Sequence, residues 1–288
     1  MQAIKGLYQC CVPSSSCEAV GTTVKEELDS FSSSRRQAIE STIVANLNDL
    51  PSLSEIVGLE EAKTALFEAL VDPIHYSEYF STSDLRPWKT VLLYGPPGTG
   101  KSALSQAIVR EIESQLYQVS SSDLISTWSG QSERLIRELF DHALALKKTA
   151  IIFIDEVDSL CRTRCASEDD ANRRVKVGEV IWEEMTELLV QMQRLQSSSN
   201  LVLVCATNCP WDLDPAFMRR FEKKIYIGLP DLDARLTMLR RRLQAHLTDS
   251  ELEVRPALSS SDVEKVLNSF SKSVEEHQLA RYLQYNNR

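Results

Sequence analysis

The sequence predicts an α/β fold in which a parallel β-sheet is covered by helices on both of its faces. Three features lead to this prediction. Short apolar segments alternate with segments of helical period over residues 52–230, and a glycine-rich turn at residues 95–100 joins an apolar segment to a helical one. Residues 150–154 are all apolar, as a strand buried on both faces requires. Alternating strands and helices are typical of a parallel sheet with crossover connections.

Five segments have the composition of buried strands. The predicted strands are Thr90–Tyr94, Leu116–Val119, Ala150–Ile154, Leu201–Ala206 and Lys224–Ile227. Apolar residues three or four positions apart mark the predicted helices. These are a short helix over Arg35–Leu47, then Ile56–Val71, Ser102–Ser114, Ser132–Leu146, Asp233–Leu247, Ser261–Ser269 and Val274–Tyr285. We therefore expect one five-stranded parallel sheet, with the last three helices lying beyond it in the chain.

The composition divides the chain into three parts. Serine clusters interrupt residues 1–48, which are predicted to be a disordered or partly helical tail. Residues 49–230 are predicted to be the large α/β domain and residues 231–288 a small helical domain. A chain of 288 residues is long enough for one large and one small domain.

Charge and hydropathy exclude some classes of partner. The net charge is −9, so no general basic field favours nucleic acid, and we expect no nucleic-acid partner. No apolar run reaches the roughly 18 residues that a membrane span needs, and the first residues make a poor signal peptide. The sequence therefore predicts a cytoplasmic protein that contacts membranes only indirectly.

The cysteines allow two interpretations. Cys161 and Cys165 are four residues apart, and so are Cys205 and Cys209, which could indicate a metal site. This spacing fits the known zinc motifs poorly. The odd total of seven cysteines favours reduced thiols in a reducing compartment.

The glycine-rich turn has the pattern of a phosphate-binding P-loop. Residues 95–102 read Gly-Pro-Pro-Gly-Thr-Gly-Lys-Ser, between a predicted strand and a predicted helix. Glycines let the backbone curl so that its N–H groups face the phosphates, at a helix end that favours negative charge. Lys101 is predicted to reach the β- and γ-phosphates and Ser102 to ligate Mg²⁺. ATP and Mg²⁺ are therefore the predicted ligands.

Two acidic residues follow the wholly apolar strand. Asp155 and Glu156 come directly after residues 150–154, at the carboxyl edge of the sheet, where ligands of open α/β folds bind. Asp155 is predicted to hold the Mg²⁺ shell, and Glu156 to act as the general base for the attacking water. Such a pair alone is weak evidence, but beside a P-loop it indicates nucleotide hydrolysis.

Further motifs give the chain a specific family resemblance. They are Ile56-Val57-Gly58-Leu59, Ile154-Asp155-Glu156-Val157-Asp158-Ser159-Leu160, Ala206-Thr207-Asn208 and Asp214-Pro215-Ala216-Phe217-Met218-Arg219-Arg220-Phe221. Over about residues 50–240 the sequence resembles AAA+ ATPases of the clade that holds katanin, spastin, fidgetin and the vacuolar-sorting ATPase that disassembles ESCRT-III polymers. The resemblance implies a three-layer α/β/α P-loop domain followed by a helical lid domain.

The resemblance also implies roles for individual residues. Asn208 matches the polar sensor of the γ-phosphate, and Arg219 and Arg220 match arginine fingers that act on a neighbouring subunit's site. Trp128, within residues 126–130, matches the first pore loop, which would grip an extended polypeptide in a hexameric ring. Residues 166–174 match the second pore loop. The residues that the resemblance places against ATP are Gly58, Pro97, Gly98, Thr99, Gly100, Lys101, Ser102 and Leu104.

The sequence departs from the family pattern in three places. Residues 177–185 separate Arg173–Lys176 from Thr186–Met192, which the family joins directly. A continuous longer helix is expected there, because Ile181 and Met185 extend the apolar row Leu188, Met192, Leu195. The family's glycine-containing stretch of the lid is absent, so the small domain is expected to be truncated. The amino-terminal adaptor domain of these ATPases is not recognisable in the tail.

These patterns lead to one expected function and two alternatives. The expected function is ATP hydrolysis coupled to disassembly of cytoplasmic protein polymers, with ESCRT-III-type filaments as partners and peripheral residence at endosomal membranes. The first alternative is severing of microtubules, with tubulin as the partner, in the manner of katanin or spastin. The second is a catalytically impaired regulatory isoform, which the truncated lid suggests.

Overall fold

The computed structural model describes residues 35–82, 86–121, 124, 132–146, 148–161, 185–197, 200–246 and 274–286. The chain forms two compact units, Met1–Ser41 and Thr42–Arg288. Residues 35–42 form helix α1, in which the Ser41 hydroxyl donates to the carbonyl of Ala38 at 2.6 Å. In the second unit, no described helix is long and apolar enough to cross a membrane.

Five parallel strands form the sheet, as predicted. They are β1 (Thr90–Tyr94), β2 (Gln115–Ser120), β3 (Ala150–Asp155), β4 (Leu201–Thr207) and β5 (Lys223–Tyr226), in the order β2-β3-β4-β1-β5. The register pairs Ser120 with Asp155 and Tyr94 with Thr207. The carboxyl ends of β1, β2, β3 and β4 therefore meet along one edge, which places residues that follow these strands next to each other.

Helices cover both faces of the sheet. Leu116 belongs to a buried cluster that includes Leu104 and Ile108 of helix α5 (Lys101–Glu111). The next strand residue, Tyr117, shares a hydrogen bond of 2.8 Å with His142 of helix α6 (Ser132–Leu144). Because consecutive strand residues point to opposite faces, α5 and α6 lie on opposite sides. The predicted three-layer α/β/α arrangement is confirmed.

The predicted helix Ile56–Val71 starts later and ends later. Helix α2 (Glu60–Leu66) begins only after Gly58 and Leu59, whose φ angles of +71° and +60° are left-handed and cannot continue a helix. A π turn over Phe67–Val71 and helix α3 (Asp72–His75) then extend it. Pro73 lacks the N–H that an α-helix would bond to the carbonyl four residues earlier, and a widened turn accommodates that loss. Helix α4 (Ser77–Thr82) follows.

Two other predicted helix ends are wrong. The helix predicted over Arg35–Leu47 stops at residue 42, because Ile43 forms an antiparallel bridge with Tyr117 on the edge strand β2; a 3₁₀ turn follows at Leu47–Asp49. Helix α5 ends at Glu111 rather than Ser114, because Glu113 has a left-handed φ of +49° and turns the chain into β2.

The helices predicted over Ser132–Leu146, Asp233–Leu247 and Val274–Tyr285 are observed with both ends within two residues of the prediction. Short helices α7 (Asp158–Cys161) and α9 (Pro215–Met218) flank helix α8, which covers residues 185–195. Beyond the sheet lie helices α10 (Leu232–His246) and α11 (Glu276–Asn286). The predicted helix Ser261–Ser269 lies outside the described residues, as does the start of the 177–185 segment.

An ion pair between a buried carboxylate and a half-exposed guanidinium joins helix α8 to helix α6. The predicted apolar row is confirmed for its described members Met185, Leu188, Met192 and Leu195, all of which are buried. On the same helix Glu187 is only 5% exposed. Its carboxylate accepts from the Arg137 Nε at 3.0 Å and from its Nη2 at 2.9 Å. The hydrogen bond from Arg137 is the main cause that lowers the pKa of Glu187.

Glu187→Gln is expected to lower the melting temperature at pH 7 by roughly 2–4 °C, because the ionised carboxylate is lost. The folded-state pKa lies below the unfolded value of about 4.3, so this stabilisation is complete above that pH and disappears as the pH falls further. The melting-temperature gap between wild type and variant should therefore shrink below about pH 4.3.

Glu133→Gln is the matched control for this prediction. Glu133 contacts the same guanidinium at 2.8 Å but is 42% exposed, so its loss should change the melting temperature little. Thermal melts of the three proteins at pH 7 and at about pH 3, below the unfolded-state pKa, would measure both effects. A gap for Glu187→Gln that is equal at the two pH values would contradict the assignment.

Candidate active site

Residues 95–100 connect β1 to α5 in a tight loop. A side-chain Cβ on Gly95 would lie 2.0 Å from the carbonyl oxygen of Ile227, so only glycine fits there. Gly98 and Gly100 have φ angles of +76° and +90°, and a Cβ on either would meet nothing within 4 Å. The loop is thus packed at its start and open over its middle, where Pro97, Gly98 and Gly100 are exposed.

Lys101 begins helix α5 with its side chain folded into the loop. The residue is 7% exposed, and its Nζ donates to the carbonyls of Gly95 at 3.0 Å and Pro96 at 2.8 Å. Burial lowers the pKa of Lys101, and the nearby Asp155, Asp158 and Cys209 oppose this shift. The ammonium group is therefore a partly desolvated positive charge inside the curve of the loop.

Ser102 and Asp155 meet at the carboxyl edge of the sheet. The Ser102 hydroxyl donates to the Asp155 Oδ2 at 2.5 Å. A hydroxyl beside a carboxylate is the hard oxygen donor set that Mg²⁺ prefers, with water and phosphate oxygens completing its octahedral shell. The residues present therefore fit a magnesium ion bound together with phosphate.

Glu156 follows Asp155 in a left-handed conformation. Its φ is +52°, and its backbone N–H donates to the Asp155 Oδ1 at 2.9 Å. The next residue, Val157, donates its N–H to the carbonyl of Ala206 in β4 at 3.0 Å. This turn fixes the backbone on either side of Glu156 and leaves the carboxylate exposed next to Asp155.

The end of β4 is tied to the same turn. The Thr207 hydroxyl donates to the Asp158 Oδ1 at 2.8 Å and accepts from the N–H of Cys209 at 3.0 Å. Asn208 lies between them, directly after the last residue of β4. The structure therefore brings Lys101, Ser102, Asp155, Glu156 and Asn208 to one edge of the sheet, as the sequence predicts.

Arg219 and Arg220 lie at the opposite edge of the sheet. The carbonyl of Arg220 accepts from the hydroxyl of Thr90, the first residue of β1, at 2.7 Å, and the Arg219 Nε donates to the carbonyl of Pro215 at 3.2 Å. Both arginines are exposed. The P-loop follows the other end of β1, so these two arginines are not part of their own subunit's phosphate site.

The other residues predicted to contact ATP lie in different parts of the domain. Gly58 lies against helix α10, where a Cβ would be 3.0 Å from the Cβ of Ala234. The Thr99 hydroxyl donates to the carbonyl of Pro96 at 3.0 Å. Leu104 is fully buried in the core cluster beneath the loop. Trp128, with the first pore loop at 126–130 and the second at 166–174, lies outside the described residues.

Sequence reasoning missed two groups at this edge. Asp158 and Thr207 are part of the quoted motifs, but their mutual hydrogen bond was not foreseen. The second group is on helix α11, where the hydroxyl of Tyr282 donates to the carbonyl of Asn208. Tyr282 and Tyr285, three residues apart on one terminal helix, were the available signal.

Cys205 and Cys209 are reduced thiols. Cys205 is buried in β4, and burial raises the pKa of its thiol. Cys209 is half-buried. Within the described ranges, no group of three or more His, Cys, Asp or Glu side chains is arranged to hold a metal ion.

Comparison with known proteins places the domain in a family. Residues 91–229 match the family described as "ATPase family associated with various cellular activities (AAA)". The chain is 42% identical to Vacuolar protein sorting-associated protein 4 of Dictyostelium discoideum, over 77% of this chain and 48% of that protein. It is 41% identical to the Meiotic spindle formation protein mei-1 of Caenorhabditis elegans, over 75% of this chain and 44% of that protein.

A solved structure agrees with these sequence matches. The FIGL-1 AAA domain in complex with ADP superposes with a TM-score of 0.71 at 27% identity, over 88% of this chain and 96% of that one. The chain spans about half the length of the curated relatives that it matches. Together with the loop and strand-end geometry, the matches show that this chain carries an AAA ATPase domain.

Proposed function

We propose that this protein hydrolyses ATP and uses the energy to disassemble cytoplasmic protein polymers, with ESCRT-III-type filaments as its substrate. One observation carries the enzymatic part: the bond of 2.5 Å between Ser102 and Asp155 joins the P-loop helix to the acidic strand end. Glu156 is exposed beside that bond. The fold similarity to an AAA domain solved with ADP supports a nucleotide at this position.

Each group at the edge has a chemical task in this proposal. The loop N–H groups and the first turn of α5 bind phosphate oxygens, and Lys101 turns its ammonium from the loop carbonyls to the β- and γ-phosphates. Ser102 and Asp155 would hold Mg²⁺, which neutralises phosphate charge when bound. Glu156 takes a proton from the attacking water, and Asn208 orients that water towards the γ-phosphate.

The site needs a second copy of the chain to be complete. Arg219 and Arg220 lie at the far edge of the sheet, anchored to the first residue of β1, so they serve the site of an adjacent subunit. Arginines that enter from a neighbour stabilise the charge of the transition state. We therefore propose a homo-oligomer, a hexameric ring, in which Trp128 lines the central pore.

The substrate class rests on the relatives and the sequence resemblance. The name of the Dictyostelium relative refers to vacuolar protein sorting, and the motif resemblance includes the ATPase that disassembles ESCRT-III. Such a role would place the protein in the cytoplasm and at endosomal surfaces, with membrane contact through its substrate. The similarity to the meiotic spindle protein mei-1 favours microtubule severing as the second candidate; a catalytically impaired isoform is the third.

Measurements of ATP turnover and of filament disassembly test the two halves of the proposal. The purified chain with Mg·ATP should release phosphate at a rate per protomer that rises with protein concentration, because each site needs a neighbour's arginines. Added to preformed ESCRT-III-type filaments or to stabilised microtubules, it should reduce the sedimenting fraction of the filaments only. A non-hydrolysable ATP analogue in place of ATP is the control.

The outcomes of these assays distinguish filament disassembly, microtubule severing and an impaired isoform. Loss of microtubules with intact filaments would support severing instead. An absence of phosphate release at every concentration, with a monomeric size on a column, would contradict the enzymatic proposal and support the impaired isoform.

A further inference from the structure

Helix α11, near the end of the chain, lies against the carboxyl edge of the sheet. The Tyr94 hydroxyl at the end of β1 donates to the Asn286 Oδ1 at 2.9 Å, and the rings of Tyr94 and Tyr285 are 5.5 Å apart. The ring of Tyr282 packs edge-on against Trp211 at 4.8 Å and lies 6.1 Å from Tyr226. The helix is therefore fixed to strands β1 and β5 and to the segment after β4.

Helix α11 also contacts the segment after β4 through Arg281, which lies over Trp211 and near Asp212. The Arg281 guanidinium stacks over the Trp211 ring at 4.1 Å and lies 3.9 Å from the Asp212 carboxylate. Trp211 follows Asn208 by three residues. Stacking of a guanidinium on an indole restrains both groups, so residues 208–212 are held by α11 on two sides.

Asn208 lies immediately after the last residue of β4 that is paired with a neighbouring strand. Thr207 is the last residue of β4 and pairs with Tyr94, so Asn208 is the first residue beyond that register. On its far side, Cys209 donates its N–H to the Thr207 hydroxyl. The carbonyl of Asn208 accepts from the hydroxyl of Tyr282, and α11 thus supplies the restraint that the strand no longer gives.

The Tyr282 hydroxyl is suited to be a permanent donor. Tyr282 is 3% exposed, so water competes little for its hydroxyl. Burial raises its pKa further above the physiological range, which keeps the proton on the oxygen. A buried, protonated hydroxyl that points at a carbonyl fixes the peptide plane of that residue.

We propose that Tyr282 is a positioning residue for Asn208, so that helix α11 sets the geometry in which Asn208 orients the attacking water. The inference rests on the proposed ATP hydrolysis and extends it to a residue 74 positions away in the chain. Tyr282 itself does not touch the nucleotide in this scheme. Its hydroxyl determines where the peptide of Asn208, and hence its side chain, is held.

Tyr282→Phe removes only the hydroxyl and keeps the ring that packs on Trp211. We expect kcat for ATP hydrolysis to fall about three- to tenfold, the effect of one buried hydrogen bond. KM for ATP and the dissociation constant of Mg·ADP, measured by titration calorimetry, should stay within twofold, because the phosphate-binding groups are untouched. Assays are run at a protein concentration that gives maximal turnover.

Tyr285→Phe is the matched control on the same helix. Its hydroxyl lies 4.0 Å from the Met218 sulfur, a weak contact away from Asn208, so kcat should change less than twofold. If the two phenylalanine variants lose the same activity, the effect comes from general loosening of α11, and the proposal is overturned.

A double-mutant cycle with Asn208→Ala separates positioning from stability. In that background the amide that Tyr282 positions is gone, so Tyr282→Phe should lower kcat no further. Independent, multiplying effects would overturn the proposal. If Tyr282→Phe melts too low to assay at 25 °C, all variants and the cycle are measured at a lower temperature at which Tyr282→Phe is folded, with the same expected outcomes.

The same series distinguishes this inference from the proposed function. A wild-type protein that releases no phosphate overturns both. A wild type that hydrolyses ATP and is slowed by Asn208→Ala, but not by Tyr282→Phe, overturns the inference alone.

Discussion

Replacing Glu156 with glutamine is expected to lower the rate of ATP hydrolysis by at least about 100-fold and to leave ATP bound. The amide has the size of the carboxylate but cannot take a proton from water. The bond between Ser102 and Asp155 does not involve the Glu156 side chain, and neither does the N–H of Glu156 that bonds to Asp155. The groups that bind phosphate should therefore stay in place.

Steady-state phosphate release and titration of Mg·ATP would measure the two halves of this prediction. Glu113→Gln is a matched control, because Glu113 is also an exposed glutamate with a left-handed φ, of +49°. It precedes β2 and therefore lies at the opposite edge of the sheet. A Glu156→Gln protein that no longer binds ATP would show that Glu156 has a structural role and is not the base.

Removing both arginines in Arg219→Ala, Arg220→Ala is expected to lower ATP hydrolysis by about 1,000-fold or more. A variant of this kind also permits a sharper test, since the arginines and the P-loop of one chain lie at opposite edges of the sheet. Mixed with the Glu156→Gln protein, it should regain part of the lost activity. Some mixed sites then combine an intact Glu156 from one chain with intact arginines from the other.

The control mixture is Glu156→Gln with Lys101→Ala. Both of these changes damage the P-loop side of the site, so no mixed pair of subunits contains an undamaged site, and activity should stay absent. If the arginine mixture also stays inactive although the two proteins co-assemble on a sizing column, the arginines do not act on a neighbour's site.

The central strand of this fold was predictable because its apolar composition marks it as buried on both faces. Residues 150–154 have no polar side chain, and the structure places them in β3 between β2 and β4. Helix ends were less predictable, because single backbone conformations decide them. The left-handed Leu59 delays α2, and the left-handed Glu113 ends α5 early; an αL leucine or glutamate has no sequence signature.

The residues of the candidate site also differ in how far the sequence predicts them. Lys101, Ser102, Asp155 and Glu156 could be assigned from the sequence, because the chemistry of phosphate needs those residue types beside a loop and a strand end. The support of Asn208 by Tyr282 could not, because it joins a backbone carbonyl to a residue whose helix the sequence predicts but does not place. Contacts of this kind depend on how a terminal helix packs, and no local pattern records that.

Strand β1 has a consequence for communication between subunits. Its last residue precedes the P-loop, and its first holds Arg220 by the Thr90 hydroxyl and Glu222 by a backbone bond of 3.1 Å. Five residues of strand span roughly 15 Å, and a strand hydrogen-bonded to β4 and β5 cannot stretch. In the proposed ring, each subunit is thus a rigid spacer of fixed length between the nucleotide it holds and the one it helps its neighbour to cleave. In that ring, a shift of one P-loop along the strand would be transmitted through β1 to the arginines at its other end.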